Sequence, residues 1–498
     1  TDELSSGELS SNSSIEDGQF SLSSTISETT SSSELDETNL LLIASSEDDE
    51  EPESRQLLST SVRSRHQGST DQFIIRDELQ RTIDVSVWMC IAIVFFSNIG
   101  FSAVLPSIWP YIQYFGGEGC YLGLAISAFS FGQTIGSGLF SLVYERHRNR
   151  VRYILAISLL LLVAGDLIYA LAPNEWFVFL GRLLTGLAAG NQEVIQGYVA
   201  SITPAEQRAQ KITRLSLFAA LSFIIGPCVA AALSPIGARS LSDSLMINAW
   251  TIPALVSAVL AALCICFVFP LKVPRKRAAQ QDDFIPADHY ADTTGPRIPL
   301  ALSVALIIIY FFIFQTGSVY ETVVVPFTEK AYDWHLLANS GLYGMAGIFS
   351  ALSLLIMHLF GDMINDFYLV LPSLALLTAG YGIMLTTEAC EYAGMWRFMI
   401  GSALVTLTFP LSFSGLVNIY SGLLAGKSAG TITFRMRLLK AGGYIARMVA
   451  PLWAGCVFEY RGFNIVFIVA ATGVLGSAML MLALSKKISR LLKRIRLV

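Results

Sequence analysis

Apolar residues gather in runs of about twenty, the length a helix needs to cross a bilayer. Twelve runs stand out, at 85–108, 121–143, 151–172, 176–200, 213–234, 247–270, 299–325, 338–360, 367–386, 396–419, 441–458 and 463–485. They form two blocks, 85–270 and 299–485, that repeat one another. Pro106 answers Pro326, and Leu139-Phe140-Ser141 answers Leu359-Phe360-Gly361. Arg182 and Gly186 answer Arg397 and Gly401, and Gly226-Pro227 answers Ala450-Pro451. These offsets run from 215 to 224, one register slipping by a few residues. A duplicated membrane half is a common way to build a solute carrier, with the site near the midplane where the halves meet.

The expected fold is therefore an all-α membrane protein of twelve transmembrane helices in two pseudo-symmetric halves of six. Residues 81–271 form one half and 299–485 the other, joined by a linker over 272–298 and followed by a basic tail over 486–498. Composition agrees: 53% of the chain is hydrophobic, 14% is charged and the mean hydropathy is +0.57, whereas soluble domains average about 25% charged residues. Residues 1–80 differ in kind. They are rich in Ser, Asp and Glu and poor in aromatics, so they cannot bury enough apolar area to offset chain entropy and are expected to be disordered. Much of the net charge of −5 sits there. The first apolar run is too long for a signal-peptide core and should act as a signal anchor.

Basic residues set the expected topology. Alternate loops carry Arg146, Arg148, Arg150 and Arg152; Arg208, Lys211 and Arg214; Lys272, Arg275, Lys276 and Arg277; and Lys427, Arg435, Arg437 and Lys440. Excess Lys and Arg marks the cytoplasmic side, which puts both termini in the cytoplasm. Of seven cysteines, Cys120 and Cys390 fall in predicted outer loops, one per half, which leaves a bridge between them open. Cys264 and Cys266 read as packing residues in an apolar helix. No metal-ligand spacing appears, and no cofactor is implied.

Four motifs now gain meaning together. Residues 141–150 read S-L-V-Y-E-R-H-R-N-R, which resembles the major facilitator superfamily loop G-x-L-a-D-R-x-G-R-[RK] in degraded form, with Ser141 for glycine and Glu145 for aspartate. Arg182 to Gly190 is similar to the family's helix-4 motif, Gly226-Pro227 to its helix-5 proline motif, and Thr203 to Arg208 to its helix 4–5 loop. Residues 107–111 (S-I-W-P-Y), 247–253 (I-N-A-W-T-I-P), Glu321-Thr322 before Pro326, and Ala446-Arg447 before Pro451 look like the ceroid-lipofuscinosis neuronal protein 7 group within that superfamily. This resemblance runs from about residue 85 to 485. It implies a multi-pass endolysosomal transporter or anion-conducting protein. By the same resemblance Ser141, Glu145, Arg146 and Arg150 form a gating or packing lock, and Gly186, Gly190, Gly226, Pro227 and Pro451 shape helix contacts.

A charge inside the hydrocarbon region is costly and marks a candidate site. Asp166 and Arg182 lie seven residues before and after the turn at 173–175, at one depth on adjacent antiparallel helices. They are expected to pair, either as a structural lock or with Arg182 also lining the cavity. Glu193 lies eleven residues beyond Arg182, close to three whole turns, so both should face the same way. Glu321, after Gln315, Thr316 and Ser318, can carry a proton if it lines the cavity. Arg447 is deep and needs a partner, for which Glu193 is one candidate. Small residues such as Gly186, Gly190 and Gly344 read as close-packing positions. No nucleophile, base and orienting group stand at catalytic spacing, so an enzyme is not expected.

The tail offers an address. Asp36 to Leu41 and Glu53 to Leu58 both fit [DE]xxxL[LI], with Leu40, Leu41, Leu57 and Leu58 as the leucine pairs that clathrin adaptors read. The expectation is a secondary transporter of a small solute in a lysosomal or late endosomal membrane, with the plasma membrane as the alternative location. A channel-like anion conductance and a non-transporting scaffold are the competing functions.

Overall fold

In a computed structural model, the described residues are 78, 80–236, 239–242, 245–272, 298–360, 366–385, 394–425, 427 and 429–496. All but the first belong to one compact unit, Leu79–Val498. The sorting motifs at Leu40, Leu41, Leu57 and Leu58 lie outside the described residues, as do Cys390 and the linker from 273 to 297.

Among the described residues the architecture is the expected all-α one. Helix α1 (Gln80–Tyr114) is interrupted by a tight turn over Leu105–Ser107, where Pro106 has no N–H to give the ladder. Then come α2 (Gly119–Arg146), α3 (Val151–Ala170) and α4, built of two segments, Glu175–Ala189 and Asn191–Ile202, on either side of Gly190. The Asn174 carboxamide oxygen caps α4 by accepting from the amides of Trp176 and Phe177. Helix α5 (Ala205–Leu233) leads to a hairpin, β1 (Arg239–Ser242) with β2 (Leu245–Ile247), and α6 (Ile252–Val268) closes the first half. The second half holds α7 (Leu300–Tyr332), α8 (Leu336–Phe360), α9 (Asp366–Met384), α10 (Met395–Leu424), α11 (Ala429–Arg461) and α12 (Phe463–Arg496).

Helix boundaries depart from the apolar runs where polar residues extend a helix beyond the apolar stretch. Helix α11 starts twelve residues before the expected 441, and α12 carries the basic segment as helix to Arg496. Pro326, one residue past the expected run 299–325, lies inside α7, which continues to Tyr332. Helix α6 starts late because the Asn248 side chain accepts from the amides of Trp250 and Thr251, forming a turn before Pro253.

The internal repeat is visible in packing. The pairs α2–α4, α3–α4 and α3–α6 recur as α8–α10, α9–α10 and α9–α12. Across the halves, α2 packs on α11 and α5 on α8. One buried cluster, including Val87, Leu155, Val199 and Leu271, lies within α1–α6. A larger one belongs to α7–α12 but takes in Trp109, Ile112, Leu122 and Ile126 from α1 and α2, at the end opposite the chain termini. The outer shell remains apolar, with Tyr153, Leu217, Val259 and Leu352 exposed. That surface suits a hydrocarbon solvent and not water.

Candidate functional site

The two halves enclose a cavity of about 550 Å³. Its wall includes Gln192 and Phe223 from the first half and Phe314, Glu321, Tyr343 and Arg447 from the second. A smaller cavity of about 150 Å³ lies inside the first half, lined by Asn98, Asp166, Arg182 and Ser257. Arg447 reaches the wall of both.

Arg447 has a carboxylate opposite it. Its Nη2 stands 3.8 Å from Glu321 Oε2, and the two side chains are 24% and 18% exposed. That separation is an ion pair without a hydrogen bond, so it can part without breaking a directional contact. The Tyr343 hydroxyl donates to the Glu321 backbone carbonyl at 3.0 Å and holds α7 to α8 beside the pair. Both charges lie in long apolar helices, where leaving either alone would be expensive. Glu193, one candidate partner for Arg447, pairs elsewhere.

Arg182 is only 3% exposed, yet its Nε and Nη2 have no hydrogen-bond partner among the described residues. Its guanidinium sits 5.7 Å from the Phe101 ring centroid, 5.5 Å from Phe129 and 5.7 Å from Tyr169. Ring faces stabilise a cation but accept no proper hydrogen bonds, which leaves the fork available to an acceptor entering the small cavity.

The expected Asp166–Arg182 ion pair is not formed. Asp166 lines the same cavity but accepts a 2.5 Å bond from the Ser257 hydroxyl of α6. Shared depth brought the two charges to one cavity, while the α3–α6 contact supplied a nearer partner.

Glu193 also departs from expectation, since it lines neither of these two cavities. Its carboxylate accepts from Lys440 Nζ at 3.2 Å and from the Tyr444 hydroxyl at 2.9 Å, tying α4 to α11. The α4 segment that carries Glu193 begins after Gly190 and meets α11, whereas Arg182 lies in the segment before it. Its neighbours point inward: Asn191 donates to Ser158 at 3.0 Å and Gln192 to Asn98 at 2.8 Å.

The motif loop lies away from the cavities. Glu145 pairs with Arg437 of α11, while Arg146 and Arg150 are exposed and Ser141 is half-buried. The glycines of α4 do pack closely. A Cβ on Gly186 would stand 2.1 Å from the Phe129 carbonyl oxygen, and one on Gly190 2.2 Å from the Gly136 carbonyl carbon, so α2 and α4 meet backbone to backbone. Gly226 abuts the Ser102 hydroxyl and the Ile99 carbonyl of α1, Pro227 lines the central cavity, and the Pro451 carbonyl abuts Gly123. Gly344 was expected to be a packing position, but its Cβ direction faces open space. Arg397, the repeat counterpart of Arg182, is exposed and donates to the Leu385 carbonyl.

Sequence reasoning missed Ser257, Tyr343, Lys440 and Tyr444. Lys440 was counted only as loop charge, and the hydroxyls are ordinary in apolar helices. Only contact across helices distinguishes them. The cysteine reading also changes, because Cys120 bonds to Cys456 of α11, not to Cys390. Cys456 lies within a helical apolar run and therefore did not look like a loop cysteine.

A family model described as the Major Facilitator Superfamily matches residues 90–441. The chain is 26% identical over 436 residues to Major facilitator superfamily domain-containing protein 8 of Xenopus laevis, covering 74% of this chain and 84% of that protein. It is 22% identical over 374 residues to the quinolone resistance protein NorA of Staphylococcus aureus strain MSSA476, covering 74% and 88%. Among solved structures, the human organic anion transporter MFSD10 superposes with a TM-score of 0.56 at 18% identity, over 80% of this chain and 99% of that one. A bacterial homolog of the human lysosomal transporter Spinster, inward-facing and unoccupied, gives 0.59 at 12% identity, over 83% and 97%. At these identities the structures speak for the fold alone. With twelve helices among the described residues, ten of them long and apolar enough to cross a membrane, a repeated packing order and a family match across most of its length, the chain is a multi-pass membrane protein of the transporter fold and belongs to the Major Facilitator Superfamily.

Proposed function

We propose that this protein is an alternating-access carrier that moves a small organic anion, with protons, across an endolysosomal membrane. One observation carries the reading: the Glu321–Arg447 pair stands on the wall of the central cavity, close enough for attraction and too far for a hydrogen bond. With Glu321 ionised, Arg447 is neutralised by its own chain. A proton on Glu321 removes that competitor and leaves the guanidinium for the carboxylate or other anionic group of a solute. Loss of the proton restores the pair and expels the anion. Arg182, uncompensated by hydrogen bonds one cavity away, adds positive potential along the same path. Phe223, Phe314, Phe409 and Phe413 provide the apolar wall for the rest of the solute.

In this reading residues 81–271 and 299–485 rock as two bodies about the cavity, joined by the linker 272–298, with both termini and the basic segment 486–498 in the cytoplasm. The dileucine pairs at Leu40-Leu41 and Leu57-Leu58 recruit clathrin adaptors, which deliver the protein to lysosomal or late endosomal membranes. The lipid bilayer and the anionic solute are its other partners. The test is counterflow of labelled organic anions into proteoliposomes holding the full chain, at matched and opposed pH gradients. Saturable uptake that follows the proton gradient supports the carrier. A non-saturating anion current indifferent to the gradient would establish a conductance in its place, and no flux of any anion would favour a scaffold.

A further inference from the structure

The seam between α2 and α11 is tied at its two ends by different chemistry. Near the termini the ties to α11 are polar and exchangeable: Arg437 with Glu145 of α2, and Lys440 and Tyr444 with Glu193 of the adjoining α4. At the opposite end they are close and covalent. Cys120, second residue of α2, is bonded to Cys456 of α11 across 336 residues of chain. Beside it, the Gly119 amide donates to Glu459 at 3.0 Å, and Ser127 donates to the Met448 carbonyl at 2.7 Å. A Cβ on Gly455 would stand 2.3 Å from the Gly119 carbonyl oxygen, so no side chain separates the helices. Trp109 meets Phe458 edge-on over the same end. The central cavity reaches the other way, past Gln196, Leu215 and Leu354 toward the terminal end.

A carrier that rocks its halves must part this seam to open at the far end. Exchangeable ion pairs part thermally; a disulfide does not. We propose that Cys120–Cys456 is a redox lock on alternating access. While it is intact the halves cannot separate at the far end, and the central cavity communicates only with the terminal side. A dithiol reductant supplied from the far side releases it. One thiolate attacks a cystine sulfur to form a mixed disulfide, and its second thiolate closes on the first. The reductant leaves as a cyclic disulfide, and two electrons and two protons end on Cys120 and Cys456. Both cysteines are half-buried, within reach of a small thiol. Disulfides persist in oxidising compartments, so the lock is set by the compartment that the far end faces.

This inference rests on the carrier reading, and its test separates the two. Full-length protein in liposomes is measured oxidised and after dithiothreitol, alongside Cys120→Ser/Cys456→Ser. One readout is anion counterflow; the other is amide hydrogen exchange over residues 119–127 and 448–459. Reduction should raise flux about tenfold or more, within the usual range of conformational coupling, and speed exchange in both segments. The serine variant should match the reduced protein with or without dithiothreitol. Reduction of the wild type needs no mutation, so a misfolded variant does not spoil the test. Faster exchange on reduction without any flux would uphold the lock and defeat the carrier. Equal flux and equal exchange in oxidised and reduced protein would overturn the lock and make the α2–α11 seam a fixed hinge.

Discussion

Replacing Glu321 by Gln keeps the side chain's shape and removes its charge, which should lock Arg447 into its unpaired form. At 3.8 Å and an effective dielectric of 20, the Coulomb attraction is about 4 kcal/mol. The side chains are 24% and 18% exposed and make no hydrogen bond, so the net coupling falls below that ceiling. A realistic range is about 1–3 kcal/mol, or roughly 5–150-fold in an equilibrium constant. The direction is specific. Wild-type affinity for an organic anion should fall as pH rises and the pair forms. Glu321→Gln should hold the acid-side affinity at all pH values, a gain of roughly 5–150-fold on the alkaline side. Arg447→Gln should weaken anion binding throughout, and the double variant should lose the gain, since no freed guanidinium remains. The assay is anion binding and gradient-driven uptake in proteoliposomes across pH, with protein abundance measured in parallel. A wild-type pH slope in Glu321→Gln would refute the proton-gated pair.

Three other outcomes follow from the geometry. A double-mutant cycle on Asp166→Asn and Ser257→Ala should give a coupling of about 0.5–1.5 kcal/mol by thermal unfolding, the usual net worth of a hydrogen bond. The cycle on Asp166→Asn and Arg182→Gln should give less, and the reverse order would reinstate direct pairing. Gly190→Leu should cost about 3 kcal/mol or more by forcing α2 off α4, whereas Gly344→Ala should leave the melting temperature unchanged, both read on solubilised protein by thermal scanning. Alanine at Leu40, Leu41, Leu57 and Leu58 should move the protein to the plasma membrane by surface biotinylation, and an unchanged intracellular distribution would remove the adaptor signal.

Class and architecture were legible in the sequence because a membrane imposes them one segment at a time. Each apolar run must satisfy its own backbone as a helix, so twelve runs read as twelve helices. Duplication of the block was visible as the repeat of Pro106 in Pro326 and of Gly226-Pro227 in Ala450-Pro451. The depth of a charge was legible too, since rise per residue is fixed. That is why Arg182, Glu321 and Arg447 were found, and why all three prove to line a cavity.

Partnership was not legible. Asp166 chose Ser257 over Arg182, Arg447 chose Glu321 over Glu193, and Cys120 bonded Cys456 rather than Cys390. In each case depth was right and azimuth or neighbour was wrong. Which helix a side chain faces depends on packing between segments far apart in sequence. One-dimensional spacing fixes height in the membrane. Only the packed bundle fixes rotation and adjacency, and those decide which charges pair and which remain for a solute.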